Sequence, residues 1–315
     1  MTPQPNSRPA FDNLTIDPSG PSGNAWGLFG ASNELGMLNL LTPESVHRAA
    51  SEEIREGVRF SLDLPLDRIK NPSFGRKPFA RELVNKGPRI VNDDILRFNT
   101  QCRNHTHKCY FNGHSLEELK ISSVIGIDAW VKHGGIVGRG VLIDYASWAT
   151  TNSVTLSPFT TSKISLSSIQ QIIAEKKIHF RPGDILFLRT GFTAAYDQLS
   201  AEEELAIAQR ETPQFAGLEA GEATLRWLWE NQFAAVASDS PSFEPAPIAG
   251  PDGPAEFQLH QWLLAGWGMP IGEYFDLEGV AEHCRKTNRW SFFLSSVPLN
   301  VPGGAASPPN AVAIF

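Results

Sequence analysis

Apolar and polar positions change period several times along the chain, and the changes mark out elements. LTPESVHRAASEEIREG (41–57) reads as a helix, with Thr42 as N-cap, Pro43 at the first helical position and Gly57 as a stop. VRFSLDLPL (58–66) alternates apolar and polar residues as far as Pro65, the mark of a half-buried strand. Residues 67–93 are rich in Pro, Gly, Lys and Arg, show no period, and read as a long surface loop. ILRFNT (95–100) reads as a strand, SLEELKI (115–121) as a short helix, and GGIVGRGVLIDYA (134–146) as a buried strand entered through glycines. SLSSIQQIIAEKKIHFRPGDILFLRTG (165–191) is a helix, a Pro-Gly turn and a strand, and GEATLRWLWENQFAAVASDS (221–240) repeats that order. LHQWLLAGW (259–267) reads as a helix stopped by Gly268 and Pro270, before the strand-like PIGEYFDL; FFLSSVPLNV (292–301) is a last strand before a Gly/Pro-rich tail. Helices and strands alternating through the second half predict an α/β fold. No internal repeat of fixed period is present. Residues 1–23, rich in Pro, Ser, Gly and Asn, read as a flexible N-terminal arm.

Composition narrows the function classes. Of 315 residues 41% are hydrophobic and 19% charged, which excludes a disordered chain. The net charge is −7 and no run of Lys or Arg occurs, so nucleic acid is not expected as a partner. Cys102, Cys109 and Cys284 make no disulfide framework and suit a reducing compartment. No stretch approaches the ~20 apolar residues of a membrane span. These features lead us to expect a cytoplasmic protein with no membrane partner.

Three places could carry chemistry. His105 and His107, flanked by Cys102, Cys109 and His114, would point to one face of a strand and could share a cation; a surface loop that happens to hold histidines is the plain alternative. His260 falls in the first turn of its helix and Glu273 on the following strand, where a buried Glu needs a partner; on spacing alone a half-exposed Glu with an incidental His is the favoured reading. Asp239 follows the apolar run AVAS, at the carboxyl end of a strand where α/β proteins present functional groups, though an Asx-turn before Pro241 would look the same. Asp144 is a weaker case of the same kind, and Arg189 either anchors an anion or pairs with a buried carboxylate, the pairing being favoured. GIVGRG precedes a strand and so is no phosphate loop. No Gly-x-Ser-x-Gly elbow exists, which removes the acyl-transfer triad.

Several stretches in order between Trp26 and Phe315 resemble the putative cyclase family, whose best-known members are metal-dependent kynurenine formamidases. They are WGLFGASNELGMLNLLTPESV, DDILRFNTQ, GIVGRGVLIDYASWA, FRPGDILFLRTGF, SDSPSFEPAP, LHQWLLAGWGMPIGEYFDLEGVAEHC and PLNVPGGAASPPNAVAIF. The likeness is closest to the larger fungal and bacterial branch. It implies a swivelling β/β/α fold, with residues 24–315 as a single α/β domain behind the arm. In the formamidase branch a His-x-Gly-Thr-His-x-Asp-x-Pro-x-His motif supplies metal ligands and a later His and Glu complete the site. His260 and Glu273 match that later pair. The larger branch continues Phe-Asn-Thr-Gln with Ser-Ser-Thr-Gln-Trp-Asp-Gly, whereas here FNTQ continues Cys-Arg-Asn-His-Thr-His-Lys, so His105 falls on the motif His or Gln and His107 on the Asp, with a shortened stretch before CYFNG.

The resemblance therefore implies Zn or Mn held by His105, His107, His260 and Glu273. His260 and Glu273 would also be the catalytic pair, and Asp239 would orient a ligating His. The expected function is a metal-dependent hydrolase or cyclase acting on a small amide, lactone or cyclic carbonyl compound, in a homodimer or higher homo-oligomer. Kynurenine-type amides and secondary metabolism are implied by resemblance only. The competing expectation is a catalytically silent paralogue whose shortened motif has lost the metal and which serves as a binding or partner subunit.

Overall fold

The computed structural model describes residues 8–88, 93–100, 109–248 and 255–315. Its strands are β1 (Arg59–Ser61), β2 (Ala80–Val84), β3 (Asp93–Arg97), β4 (Ile136–Asp144), β5 (Lys163–Ile164), β6 (Ile185–Arg189), β7 (Gly217–Leu218), β8 (Ala235–Ser238), β9 (Ile271–Gly272), β10 (Ser291–Ser296) and β11 (Val312–Ile314). The helices are α1 (Pro43–Glu53), α2 (Leu116–Ile121), α3 (Ile127–Lys132), α4 (Tyr145–Thr151), α5 (Leu166–Lys176), α6 (Phe192–Tyr196), α7 (Ala201–Ala208), α8 (Glu222–Glu230) and α9 (Glu278–Thr287). A seven-stranded mixed sheet runs in the order β1-β11-β10-β4-β6-β8-β9. The stretch β4-β6-β8-β9 is parallel, and β10, β11 and β1 extend it antiparallel. The fold is thus the α/β type that the alternation predicts.

Local chemistry explains most of these elements. The Thr42 hydroxyl accepts from Ser45 N, and Pro43 opens α1, which ends at Glu53, short of Gly57. Ser115 and Glu118 form a reciprocal capping box that starts α2. The parallel strands β6 and β8 are buried on both faces and read as continuous apolar runs. On one face of β4, Arg139 reaches Glu53 of α1 (2.7 Å) and Asp184 (2.7 Å), tying that helix to the sheet. On the other face Ile185, Phe187, Ala235, Ala237 and Leu294 form the floor of a cleft.

Three sequence expectations need correction. The predicted loop 67–93 contains β2, which pairs antiparallel with β3 from Ala80↔Arg97 to Val84↔Asp93. Strand β3 overlaps the strand expected at 95–100, whereas β2 is almost wholly exposed and has no alternation to betray it. The Gly/Pro-rich tail contributes β11, inserted between β1 and β10, with Ala311 N bonded to Asp63 (2.7 Å). The described part of the N-terminal arm, residues 8–23, is a packed strap. Phe11 is buried and stacks on Trp262, the Arg8 guanidinium lies 3.5 Å over Trp229, and the indole N–H groups of Trp229 and Trp267 donate to Pro9 O and Gly23 O. Buried indoles need acceptors, and here the strap's carbonyls supply them.

Candidate active site

The end of β8 leads into a loop whose polar side chains are buried: Asp239, Ser240, Ser242 and Glu244 are each at most 1% exposed. Buried carboxylates need donors, and the two in this loop find different ones. Asp239 accepts from Thr190 N and its hydroxyl and from the backbone N–H groups of Gly191 and Phe192. It fastens the turn between β6 and α6. Burial pushes its pKa up to about 6, against the pull of the Thr190 donors. Asp239 has no hydrogen bond to His260 and so does not orient it: both its oxygens are taken by the turn.

It is Glu244 that holds the His260 ring. Its carboxylate accepts from Leu259 N (2.8 Å), His260 N (2.7 Å) and His260 Nδ1 (2.8 Å). His260 caps a π-helical turn, Gln261–Gly266. The α-helix expected over 259–267 is therefore widened, a distortion often found at functional sites. The residues that follow the strap clamp this turn, with Ala25 N bonded to Gly266 O (2.9 Å) and Trp26 Nε1 to Ala265 O (2.7 Å).

His260 Nε2 lies 3.1 Å from Glu273 Oε1, so the structure brings together the two residues paired from the sequence. Glu273 follows β9, and Tyr274 N and Phe275 N hydrogen-bond back to Ser240 O and Ser238 O. Tyr274 adopts φ 61°, an uncommon conformation for a bulky side chain that turns the chain sharply just after Glu273. Burial alone would depress the His260 pKa, but hydrogen bonds to Glu244 and Glu273 outweigh it and hold the ring protonated up to about 10. Arg76 Nη2 stands 4.0 Å from the other Glu273 oxygen. The array is thus carboxylate, imidazolium, carboxylate, guanidinium, with Glu273 and Arg76 lining the cleft.

That cleft has a volume of about 250 Å³ and is mainly apolar. Phe187, Ala237 and Leu294 belong to its floor, and loops on either side of Pro72 and Pro308 form its walls. Arg189 does not reach it; it is buried between Asp144 (2.7 Å) and Glu278 (2.7 Å), with Arg285 on the second Asp144 oxygen, which is the pairing favoured from sequence.

His105, His107 and Cys102 lie outside the described residues. Cys109 is half-buried, and His114 lies 3.7 Å from Glu118. Among the described residues no group of three or more His, Cys, Asp or Glu side chains gathers as a metal site. Two donors with the right chemistry do meet: an imidazole steadied by a carboxylate on Nδ1, and a second carboxylate facing Nε2. The 3.1 Å between Nε2 and Glu273 Oε1 lets both atoms reach one divalent cation, so the donor pair fits a metal. Sequence reasoning missed Glu244, since SPSFEP has no period or ligand spacing to mark it; a Glu in an otherwise small and apolar loop was the one available signal.

The fold is similar to that of a solved cyclase. The family model described as putative cyclase matches residues 99–245. A crystal structure of a novel cyclase is 27% identical, covers 93% of this chain and 99% of its own, and superposes with a TM-score of 0.80. Isatin hydrolase A from Labrenzia aggregata, bound to benzyl benzoate, shares the fold at 15% identity, with 88% of this chain and 98% of that one covered and a TM-score of 0.57. Isatin hydrolase A from Ralstonia solanacearum does so at 14% identity, 81% and 91% coverage and the same TM-score. None of the curated proteins matches. The chain is thus similar to the putative cyclase family in sequence over residues 99–245 and to a solved cyclase in fold over most of its length. No helix among the described residues is long and apolar enough to cross a membrane.

Proposed function

We propose that the protein is a metal-dependent hydrolase or ring-closing cyclase that acts on a small amide, lactone or cyclic carbonyl compound in the apolar cleft beside Glu273. The observation that carries this reading is the Glu244–His260–Glu273 array: a buried carboxylate fixes an imidazole, whose free edge faces a second carboxylate at the rim of a cleft. His260 and Glu273, with His105 and His107 of the shortened motif, would hold Zn or Mn. When bound, such an ion supplies Lewis-acid activation of a carbonyl and of water at neutral pH.

The chain's own residues do the rest. Glu244 keeps the His260 ring from rotating, and the strap keeps its helix in place. The apolar floor accepts the body of the substrate and excludes water around the reacting carbonyl. Glu273 holds a carboxylate where a proton must be moved between water and leaving group. Two neighbours of the same fold are isatin hydrolases, which supports a cyclic amide as a first substrate to try.

The test is a panel of isatin, simple lactones and anilides incubated with the full-length protein and added Zn or Mn. Turnover of at least one of these, lost by about a hundredfold or more in His260→Ala and Glu273→Gln, is the expected result. Equal turnover in the variants would overturn the site assignment.

A further inference from the structure

A second, smaller chamber adjoins the cleft, with Trp130 and Pro270 lining both. Its volume is about 70 Å³, several times the ~10–15 Å³ that a single water needs. Aromatic side chains form much of its wall: Tyr110 and Phe111 are buried and Trp130 is half-buried. Glu34 is the one charged residue of its described lining. The loop that carries Glu34 is fixed from both sides. Asn33 Oδ1 accepts from Leu35 N (3.0 Å) and Gly36 N (2.9 Å), and Asn112 Nδ2 donates to Asn33 O (2.7 Å). Gly36 lies so close to Gly268 that a methyl on it would stand 2.2 Å from Gly268 O. The Glu34 carboxylate itself accepts from Ile125 N, a residue held at φ 47°, which is costly for a β-branched side chain. Among the described residues Glu34 has no other hydrogen bond and no ion pair. Lys132, which its charge reaches, ends on Asp128 (2.7 Å). A half-buried carboxylate with one neutral donor, set among aromatic rings, is complementary to a cation.

We propose that Glu34, with Tyr110, Phe111 and Trp130, forms an ammonium-binding subsite beside the cleft, and that the ligand it takes is a primary amine carried on an apolar body. The carboxylate neutralises the ammonium and accepts its N–H groups, while the ring faces add cation–π attraction. The apolar body extends past Trp130 into the larger cleft, whose floor is apolar. That the amine belongs to the compound hydrolysed rests on the hydrolase reading; the binding itself does not. Glu34 is then a specificity residue. A neutral hydroxyl in the same place gains neither the charge pairing nor the attraction of the rings.

The experiment is calorimetric titration of the full-length protein with phenethylamine and, separately, with phenethyl alcohol, a neutral compound of the same shape. The amine is expected to bind about tenfold or more tightly than the alcohol, as for charge-assisted hydrogen bonds. Glu34→Gln, which keeps an oxygen for Ile125 N, should abolish that preference. Trp130→Leu, which leaves the Ile125 contact alone, should lower it. Equal affinity for amine and alcohol, binding of neither, or a preference unchanged in Glu34→Gln or in Trp130→Leu would overturn the proposal. A preference lost in Glu273→Gln but kept in Glu34→Gln would place the cation at the other carboxylate and overturn it too. No turnover is needed, so the two readings fail separately. Selective amine binding without hydrolysis of any panel compound would count against the hydrolase alone, whereas hydrolysis by a protein that does not tell amine from alcohol would count against this proposal alone.

Discussion

Replacing Glu244 by glutamine tests the geometry on which the site depends. The carboxylate is 1% exposed and takes three donors, Leu259 N on one oxygen and both His260 N and His260 Nδ1 on the other. Glutamine in the same place keeps one oxygen for His260 and turns an NH2 group towards Leu259 N. One hydrogen bond is lost, a buried N–H is left unpaired, and the imidazolium loses its nearest counter-charge. Leaving a buried donor unsatisfied costs about 1–3 kcal/mol, and more where a charge is involved, so a loss of about 3 kcal/mol is expected. Alanine removes all three acceptor contacts and leaves the ring's charge with Glu273 alone, for which about 5 kcal/mol is expected. Against a typical total of about 5–15 kcal/mol, both changes are large. Urea unfolding of wild type and both variants, with circular dichroism as readout, measures them. Zn affinity of the folded Gln variant should also fall by about tenfold to a hundredfold, as when the outer partner of a ligating His is removed. A Gln variant with wild-type stability and Zn affinity would refute the role given to Glu244.

Three further outcomes are expected. His260 has a folded pKa raised from 6.5 to about 10, so the stability it contributes is fully present below about pH 6.5 and lost as pH rises towards 10. Unfolding of the metal-free protein should accordingly become easier between pH 7 and 10, and Glu273→Gln should flatten that slope; identical slopes in both proteins would contradict the assigned cause. Arg139→Ala would remove the nearest counter-charge of Glu53 and Asp184, both under 5% exposed, leaving Glu53 with Ser291 and Arg289 and Asp184 with Arg181 N; it should cost about 3 kcal/mol by chemical denaturation, while an effect under about 1 kcal/mol would show the cluster to be unimportant. Gly23→Ala would place a methyl 1.8 Å from the Trp262 ring at φ +77°, so protease cleavage within the strap should speed up markedly; an unchanged rate would mean the strap is not held there.

How much of this was legible in the sequence depended on burial. The elements around β4, β6 and β8 have one-sided or continuous apolar runs, and Thr42, Ser115 and Pro182-Gly183 punctuate them, so pattern alone located them. Strand β3 overlaps the strand expected at 95–100, but its partner β2 is almost wholly exposed and β11 has three residues, so neither of these two leaves a periodic trace. The N-terminal strap has the composition of a loose arm; what holds it is Phe11 against Trp262 and two indole N–H groups more than 200 residues away in sequence. His260 and Glu273 were found by resemblance, since their spacing alone marks nothing. Asp239 stood out because it follows the apolar run AVAS, whereas nothing in the sequence marks Glu244 in the same buried loop, and only three-dimensional contacts show that Glu244 faces the histidine.

The central claim is that His260 and Glu273 belong to a metal site. Its most direct test is the metal content per chain of untagged full-length protein, by plasma mass spectrometry, before and after incubation with Zn or Mn. About one ion per chain in the wild type, falling close to zero in a folded His260→Ala variant, is the predicted result. A wild-type value near zero that added metal does not raise, or a full complement retained by His260→Ala, would contradict it.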